Sequence, residues 1–424
     1  MGSKEIGIAI LGLGTVGSGV WDILQQKSRQ LQEKTGCKLK VRRVLVNDLN
    51  KQRNILVPEE LFTDDFEVIR QDDGISIVVE AMGGVNPAYE YITASLQAKK
   101  QVVTANKEVM AKHSQEISAA AKANGVHVFI EACVGGGIPI IQPLEECLAA
   151  NDILSVAGII NGTTNYILTK MIQEKSSFGE VLREAQEFGY AESDPTADIE
   201  GYDALYKIAL LAEKAFKKRV PLHSVYREGI THFREVDRCF AEEAGYAVKL
   251  IGTAIRKEDG LDVRVQPVFL PREHALASIH GVKNAVLVKG DAVGEVMFSG
   301  PGAGSLPTGS AVVADILRAV KQQDMSGLID QKAIEDVQIV DSHRAPYYIR
   351  LTGESTAGLM VLYELLKEQQ ASVCRFESLQ AEPGKRQCMA VTSPLSEKQK
   401  QRIVHDLKKE RADAGTVYAV RIGI

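Results

Sequence analysis

Short apolar runs alternate with longer segments of helical periodicity over the first third of the chain. The predicted strands are apolar throughout, and they are Ile6–Leu11, Val41–Val46, Ile75–Glu80, Val102–Thr104 and Val126–Glu131. The helical spacing of apolar residues between them predicts helices at Val16–Gln32, Asn86–Ala98 and Glu108–Asn124. Strands that are apolar on both faces and alternate with helices are typical of a parallel sheet built from βαβ units. The pattern therefore predicts an α/β domain here.

The middle third has a different pattern, in which strands follow one another more often. The apolar run Ile153–Ile160 leads through the turn Asn161–Asn165 into a helix, and further strands are predicted at Val248–Arg256, Asp262–Phe269 and Val293–Met297. This order predicts an α+β domain with a more antiparallel sheet. Clustered glycines then precede an apolar helix at Ala311–Val320.

The last part of the chain follows a polar segment, Asp336–Ala345, that is typical of a linker. Its predicted elements are strand Tyr347–Leu351, helix Thr356–Glu368, strands Ala371–Gln380 and Gln387–Thr392, helix Ser396–Glu410 and strand Val417–Ile422. This βαββαβ order predicts a ferredoxin-like domain.

Composition narrows the class of protein. A chain of 424 residues suits two or three domains of roughly 150 residues each. The formal charge of −5 argues against nucleic acid or an anionic membrane as a partner, and no apolar run approaches the roughly 20 residues of a membrane span. The six cysteines form no C-x-x-C pair, and Ile6–Leu11 is too short for a signal peptide. We expect a cytoplasmic enzyme.

A glycine motif follows the first predicted strand and opens a helix, which is the context that dinucleotide binding requires. The motif consists of Gly12, Leu13, Gly14, Thr15, Val16 and Gly17. The first glycine allows a tight turn, the second admits the pyrophosphate, and the third lets helix and strand pack closely. The helix N-terminus then offers N–H groups and partial positive charge to the phosphates. This motif predicts a Rossmann domain that binds NAD or NADP.

The choice between the two cofactors stays open at this point. Asp48 follows the second strand and is suited to the ribose hydroxyl of NAD, whereas Lys51 and Arg53 are suited to the 2′-phosphate of NADP. All three are equally consistent with ordinary surface charges.

Asp203 and Lys207 lie four residues apart and hence on one face of a predicted helix. The apolar run that follows Lys207 would partly desolvate its ammonium and lower its pKa, although a neighbouring carboxylate opposes that shift. Spacing alone favours an exposed ion pair that contributes only tenths of a kcal/mol, roughly, to stability. Nearby carboxylates at Asp194, Asp198 and Glu200 suit either a substrate ammonium or the capping of a helix.

Six segments together resemble a monofunctional homoserine dehydrogenase with a C-terminal ACT domain, over essentially the whole chain. They are Ile10–Gly17, Glu80–Gly84, Thr104–Lys107, Glu131–Ile141, Asn161–Asn165 and Gly189–Lys207. The resemblance implies reversible, NAD(P)-dependent interconversion of L-homoserine and L-aspartate 4-semialdehyde, in threonine and methionine biosynthesis. It slightly favours NADP over NAD, although Asn47 stands where many members carry arginine. The length leaves no room for a preceding kinase segment, so we expect the monofunctional form.

The resemblance also implies roles for particular residues. Lys207 matches the catalytic proton donor and acceptor. The implied substrate ligands are Glu192, Asp203, Lys107 and Thr163. The implied cofactor contacts are the motif Gly12–Gly17, Lys107, Gly189 and Gly302. The implied ligands of a Na⁺ ion are Glu131 and the carbonyls of Val134, Gly136 and Ile138. Without the resemblance, Lys107 is typical of a solvated charge, Thr163 of a helix N-cap, and the glycines of structural turns.

The expected domains follow from these assignments. They are a Rossmann domain at 1–131 completed by residues 310–340, a substrate-binding and dimerisation domain at 132–309, and an ACT regulatory domain at 347–424. The resemblance implies threonine as an effector and a homodimer or homotetramer. Two alternatives are a catalytically silent sensor of nucleotide and amino acid, and a dehydrogenase for a different small hydroxy acid.

Overall fold

The first sheet is parallel throughout. The computed structural model describes residues 4–323, 335–341, 343–353, 357–382, 385–409 and 417–424. The strands are β1 (Glu5–Leu11), β2 (Lys38–Leu45), β3 (Phe62–Thr63), β4 (Ile75–Glu80), β5 (Gln101–Thr104) and β6 (Val128–Phe129), in the order β3-β2-β1-β4-β5-β6. The helices between them are α1 (Thr15–Gln26), α2 (Ser28–Thr35), α3 (Phe66–Arg70), α4 (Ala88–Gln97) and α5 (Lys107–Asn124). All carboxyl ends of the strands therefore lie at one edge, where such sheets bind ligands.

The middle of the chain forms most of a second, mixed sheet with helices. Its strands are β7 (Ile153–Ile159), β8 (Tyr226–Arg227), β9 (Tyr246–Lys257), β10 (Gly260–Pro271), β11 (Lys283–Gly290) and β12 (Gly294–Pro301). Its helices are α6 (Gly162–Glu174), α7 (Phe178–Glu187), α8 (Thr196–Ile199), α9 (Tyr202–Phe216), α10 (Glu235–Glu243) and α11 (Ser305–Gln323). Antiparallel pairing predominates, as predicted, and it runs in the order β12-β11-β7-β9-β10.

The C-terminal elements have the predicted βαββαβ order. They are β13 (Tyr347–Gly353), α12 (Ala357–Glu368), β14 (Val373–Glu382), β15 (Lys385–Thr392), α13 (Glu397–Lys409) and β16 (Val417–Ile422). The strand order β16-β13-β15-β14 is that of a ferredoxin-like sheet. This sheet is not separate, because β16 pairs in parallel with β10 and joins the two sheets into one.

The first sheet buries alternate residues of β1 in two different cores. Ile8 and Ile10 pack with α1, whereas Ala9 and Leu11 face the core that contains α3. Val312 and Ile316 of α11 belong to the same core as α1. The expected completion of the first domain by residues 310–340 remains a prediction, and 324–334 lie outside the described residues. Within the described part, no helix is long and apolar enough to cross a membrane.

Several predicted boundaries were wrong. The helix predicted at Val16–Gln32 breaks at Lys27, because the polar segment that follows buries only Leu31. The strand predicted at Val126–Glu131 is only β6, since the backbone turns at Glu131. Strand β11 was missed. The expected linker at Asp336–Ala345 includes single β-bridges to Arg219, Leu261 and Leu395.

Candidate active site

Helix α9 carries an ion pair on its buried face. The Lys207 ammonium donates to Asp203 Oδ2 at 2.6 Å and to the carbonyl of Ile160, at the end of β7, at 2.9 Å. Both side chains are buried. Helical spacing of four residues brings the two groups together, and the carboxyl end of β7 provides the second acceptor. The expectation of an exposed surface pair, drawn from spacing alone, is therefore wrong.

Burial and charge act on this pair in opposite directions. Burial lowers the pKa of Lys207 below its ordinary value, and the nearby Asp203 carboxylate opposes that shift. Burial by itself would raise the pKa of Asp203, but the ammonium groups of Lys207 and Lys107 hold it well below its usual range. Asp203 is consequently ionised at neutral pH, and Lys207 is poised to exchange a proton.

Lys107 reaches this pair from the first sheet. Its ammonium lies 2.9 Å from Asp203 Oδ1, and the attraction of that carboxylate raises the pKa of Lys107. Asn106 positions it by capping α5, with its side-chain oxygen accepting the Val109 N–H at 3.1 Å. One buried carboxylate therefore holds two ammonium groups, one from α5, which follows a strand of the first sheet, and one from α9, which packs on the second sheet.

A hydrogen-bonded network supports the turn before Lys107. The fully buried Glu80 accepts the Thr104 hydroxyl at 2.5 Å, and the Thr104 hydroxyl accepts the Asn106 N–H at 2.9 Å. The Asn106 side chain also donates to the carbonyl of Gly84 at 2.6 Å. Both segments carry the family resemblance, but no role for Glu80 followed from the sequence, because its partner Thr104 lies on the neighbouring strand.

Asn161 and Asp198 also lie at this site, although no definite role for either followed from the sequence. The Asn161 amide donates to Asp203 Oδ2 at 2.9 Å and to Asp198 Oδ1 at 2.7 Å, and its oxygen caps α6 through the Thr164 N–H. Burial raises the pKa of Asp198, and the charge of Asp203 raises it further. The sequence contained a signal for both residues. Asn161 is the first residue of the predicted turn, and Asp198 lies five residues before Asp203.

The other expected substrate ligands, Thr163 and Glu192, make no contact with the Asp203–Lys207 pair among the described hydrogen bonds and ion pairs. Thr163 is buried, and its hydroxyl donates to the carbonyl of Tyr190 at 2.7 Å. Glu192 is exposed, and within the described residues its carboxylate has no hydrogen bond or ion pair. Gly189 is exposed, with a left-handed φ of 72°, just after α7. The structure therefore brings Lys107, Asp203 and Lys207 into contact, but not Glu192 or Gly189.

The glycine motif adopts the expected strand–turn–helix geometry. Gly12 has a left-handed φ of 91°, and Gly17 packs so closely on the Gly12 carbonyl that a Cβ would clash. Gly14 faces open space at the start of α1. Leu13 lines the same 530 Å³ cavity as Gly12 and Gly14, whereas Thr15 and Val16 begin the helix. Other residues that line this cavity are Asn47, Lys51, Arg53, Asp64 and Tyr91.

The loop after β6 is organised by Glu131. Its buried carboxylate accepts three successive N–H groups, from Ile140, Ile141 and Gln142, at 2.5–2.8 Å. Its own N–H donates to Asp315 Oδ2 at 2.8 Å. Burial raises the pKa of Asp315 to about 7. The loop and α11 therefore bring two acidic groups close together in a buried environment.

The carbonyls of this loop are available as ligands. Within the described residues, no hydrogen bond reaches the carbonyl oxygens of Val134, Gly136 and Ile138. Gly136 has a left-handed φ of 56° and contacts the backbone of Gly302. Gly302 in turn lies against Asn284, whose carboxamide occupies the place a side chain at Gly302 would need.

Asn284 was not singled out from the sequence. It is fully buried on β11, and within the described structure neither its side-chain oxygen nor its nitrogen has a hydrogen-bond partner. Leaving such a group unpaired costs about 1–3 kcal/mol. A group of this kind beside two glycine loops is suited to a polar ligand.

Comparison with family models places two matches on these elements. A model described as "Homoserine dehydrogenase, NAD binding domain" matches residues 12–131, and a model described as "Homoserine dehydrogenase" matches residues 139–317. The first match begins at the glycine motif, and the second contains Asp203 and Lys207.

Individual proteins are similar over most of the chain. The homoserine dehydrogenase of Bacillus subtilis is 47% identical over 318 residues, which cover 75% of this chain and 73% of that protein. The crystal structure of a homoserine dehydrogenase from Thiobacillus denitrificans has a TM-score of 0.90 at 38% identity and covers 99% of this chain and 98% of that chain. A hyperthermophilic archaeal homoserine dehydrogenase in complex with NADPH has a TM-score of 0.64 at 27% identity, covering 75% of this chain and 98% of that chain.

Proposed function

This chain belongs to the homoserine dehydrogenase family, and we propose that the residues around Asp203 and Lys207 form its active site. It is an NAD(P)-dependent oxidoreductase that interconverts L-homoserine and L-aspartate 4-semialdehyde. The observation that carries the proposal is the buried Lys207–Asp203 pair, with Nζ and Oδ2 2.6 Å apart, which Lys107 joins from the start of α5.

Lys207 is the proton shuttle in this proposal. The bound nicotinamide supplies the hydride chemistry. In the oxidative direction the neutral Lys207 amine takes the hydroxyl proton of homoserine, and in the reductive direction its ammonium returns that proton. Burial makes the neutral amine accessible by lowering the pKa of Lys207, while the carbonyl of Ile160 and the carboxylate of Asp203 orient the group.

The substrate is a zwitterion, and the site offers groups of both charges. Asp203, with Glu192 on the exposed segment before α8, is suited to the substrate ammonium. Lys107 is suited to the substrate carboxylate or to the cofactor, because it lies at the carboxyl edge of the parallel sheet. Thr163 contributes a hydroxyl at the start of α6. Asp198 joins this set through Asn161, which bridges it to Asp203.

The residues present fit a dinucleotide. Gly12, Gly14 and Gly17 provide the turn and the open helix N-terminus for the pyrophosphate. Gly302 and Gly189 are the further cofactor contacts that the family resemblance implies. The unpaired carboxamide of Asn284 beside Gly302 is suited to a polar group of the cofactor.

NADP is slightly favoured over NAD. Lys51 and Arg53 line the cavity beside the glycine motif, and their positive charges suit a 2′-phosphate. The archaeal relative described above binds NADPH. Arg53 is held by the carbonyl of Asp48 at 2.7 Å, so its guanidinium has a defined position at the rim.

The loop after β6 fits a Na⁺ ion. Hard cations prefer oxygen ligands, and the carbonyls of Val134, Gly136 and Ile138 have no competing hydrogen bonds within the described residues. The carboxylate of Glu131 already accepts three N–H groups, and with about four lone-pair positions it retains one for the ion. The ion would supply positive charge beside the buried carboxylates of Glu131 and Asp315.

Regulation, assembly and location are further parts of the proposal. The C-terminal ferredoxin-like domain, at 347–424, is proposed to bind threonine and to support a homodimer or homotetramer. The other boundaries, 1–131 with 310–340 and 132–309, are proposed as expected from the sequence. All six cysteines are free thiols, which suits a reducing, cytoplasmic location.

The direct test follows NAD(P)H absorbance with L-homoserine and either NAD⁺ or NADP⁺, each with and without L-threonine. We expect reduction of both cofactors with homoserine and none with L-serine, which has one methylene fewer. Arg53→Ala should raise the KM for NADP⁺ more than that for NAD⁺. Folded protein that forms no NAD(P)H under any of these conditions would contradict the proposal and favour a silent sensor.

A further inference from the structure

A second cavity lies on the middle domain, beside the C-terminal half of α6. Its volume is 400 Å³, and it is bounded by α6, the start of β9 and the segment around residues 272–280. The lining residues that matter here are Thr169, Gln173, Glu242, Lys249, Arg272 and His280. None of them belongs to the proposed active site.

Lys249 is the innermost charged group of this cavity. It is 2% exposed, and its ammonium donates to Asn165 Oδ1 at 3.0 Å and to the carbonyl of Ile279. Both acceptors are neutral, so two of its three N–H groups are satisfied without any compensation of charge. Within the described residues, no carboxylate lies within ion-pair distance of it.

The contrast with Lys207 shows what is missing. Lys207 is similarly buried, but it has the carboxylate of Asp203 at 2.6 Å. Burial alone lowers the pKa of Lys249 to about 8, so the group is still mainly protonated at neutral pH. A buried charge of this kind is costly unless an opposite charge accompanies it.

An arginine and a histidine lie at the rim of the same cavity. Arg272 is exposed, and its guanidinium donates to the carbonyl of Glu242 at 3.2 Å. The carboxylate of Glu242 already forms an ion pair with Arg238, at 2.9 Å. His280 lines the cavity together with Lys249, and its pKa is lowered by burial and further by the positive charge of Lys249, so its imidazole is neutral at pH 7. The cavity therefore has converging positive charge and an acidic group that is paired elsewhere.

We propose that this cavity binds a small oxyanion, a carboxylate or phosphate group that lies against Lys249 and Arg272. The ligand supplies the opposite charge that Lys249 lacks, and charge-assisted hydrogen bonds hold it. A volume of 400 Å³ is at the lower end for ligand pockets, so the bound molecule is a small metabolite. This site is additional to the dehydrogenase site and does not depend on it.

The test measures binding by titration calorimetry at constant ionic strength, with inorganic phosphate and succinate as separate probes. We expect saturable binding of at least one probe, and the probe that binds more tightly identifies the ligand as phosphate-like or carboxylate-like. Arg272→Gln should weaken that binding about 10-fold, the loss expected for one charge-assisted hydrogen bond. Lys249→Met should abolish it.

The matched control is Lys289→Met. Lys289 is an exposed lysine of the same sheet, and its ammonium lies 3.9 Å from Glu295. This variant should bind the probes as the wild type does. Since Lys249→Met removes a buried group and could fail to fold, Arg272→Gln at the exposed rim is the decisive variant, and its homoserine turnover should equal that of the wild type.

Two results would overturn the inference. One is the absence of saturable binding of either probe by the wild type. The other is equal binding by wild type and Arg272→Gln, which would indicate general attraction of anions by the surface. If the wild type showed no homoserine turnover, that result would contradict the proposed dehydrogenase function. It would not affect the inference about this cavity, which depends only on the binding of the probes.

Discussion

Asp203 connects the two lysines of the proposed active site. Each of its oxygens accepts a different ammonium, Oδ2 from Lys207 at 2.6 Å and Oδ1 from Lys107 at 2.9 Å. A carboxylate shared in this way offsets two buried or partly buried positive charges and sets the distance between them. The pKa of Lys207 therefore depends on two opposing quantities, its own burial and the charge of Asp203.

Replacing Lys207 should remove the proton shuttle. We expect Lys207→Met to lower kcat for homoserine oxidation by about 10²–10⁴-fold, the usual contribution of a general acid–base group. Lys214→Met is the matched control, because Lys214 lies on the same helix with its ammonium 3.3 Å from Glu145. Steady-state kinetics of both variants checks this. Equal loss of activity in the two would mean that the effect comes from the helix and not from the shuttle.

Replacing Asp203 should change the pH profile. The Asp203 carboxylate raises the pKa of Lys207, so its removal in Asp203→Asn lowers that pKa further. Homoserine oxidation requires the neutral amine, and its rate rises with pH through the pKa of Lys207. We therefore expect the acid limb of kcat/KM to move to lower pH by about one unit or more, with a lower plateau.

The control for that profile is Asp194→Asn. Asp194 is an exposed residue of the segment before α8, and its carboxylate accepts the N–H of Thr196. Its removal should leave the acid limb in place. An unchanged limb in Asp203→Asn would contradict the assignment of the titrating group to Lys207.

At the scale of elements, helix N-termini and glycine loops place the site. Asn106 and Asn161 cap α5 and α6 and at the same time direct polar groups towards Asp203. The glycine loop at 135–137 packs on the backbone of Gly302, so two loops are fixed against each other. A side chain at Gly136 would meet the backbone of Gly302, and a side chain at Gly302 would meet the carboxamide of Asn284, so neither position has room for one.

Gly136→Ala should therefore be more destabilising than a glycine replacement in open space. Gly136 and Gly83 both have left-handed φ, at 56° and 82°, but a Cβ on Gly83 meets nothing within 4 Å. We expect Gly83→Ala to cost about 1–2 kcal/mol from backbone strain, and Gly136→Ala to cost about 1–3 kcal/mol more from overpacking. Thermal unfolding of the two variants measures this, and equal midpoints would contradict it.

At the scale of the whole molecule, a continuous sheet connects the catalytic and C-terminal domains. Strands β10 and β16 pair directly, and a fully buried ion pair lies beside that connection. Arg350 of β13 and Asp237 of α10 have Nη1 and Oδ2 3.2 Å apart, and Tyr348 donates to the same carboxylate at 2.7 Å. The two domains therefore share part of one core and one buried charge pair, and the C-terminal elements also have a core of their own.

Breaking this pair should destabilise the protein strongly. Asp237→Ala leaves the buried guanidinium of Arg350 without an opposite charge, which costs about 3–5 kcal/mol. Glu235→Ala is the control, because Glu235 on the same helix is an exposed carboxylate 3.3 Å from Arg238, and Arg238 keeps its second partner Glu242 at 2.9 Å, so we expect a loss of only about 0–1 kcal/mol. Calorimetric unfolding should show a markedly lower midpoint only for Asp237→Ala. Similar midpoints for both variants would contradict the buried-pair argument.

Much of the fold could be predicted from local pattern. The strand Ile75–Glu80 and the C-terminal βαββαβ order were confirmed, because their apolar spacing reports burial directly. Strand β11 was missed, and the break at Lys27 was also missed because polar segments carry little periodicity. The predicted roles of Glu192, Thr163 and the other ligands stay predictions. Asn284 was not selected, and Asp198 was left open between a substrate contact and a helix cap, since their importance depends on neighbours distant in the chain.

The sequence by itself determined the α/β pattern, the glycine motif and the family, because each depends on short segments of consecutive residues. The tertiary structure alone decided that Lys107 meets Asp203, that β16 joins β10, and that Lys249 is buried without an opposite charge. The physical reason is that periodicity reports whether a residue is buried. It does not report which charge, strand or backbone from a distant segment lies against that residue.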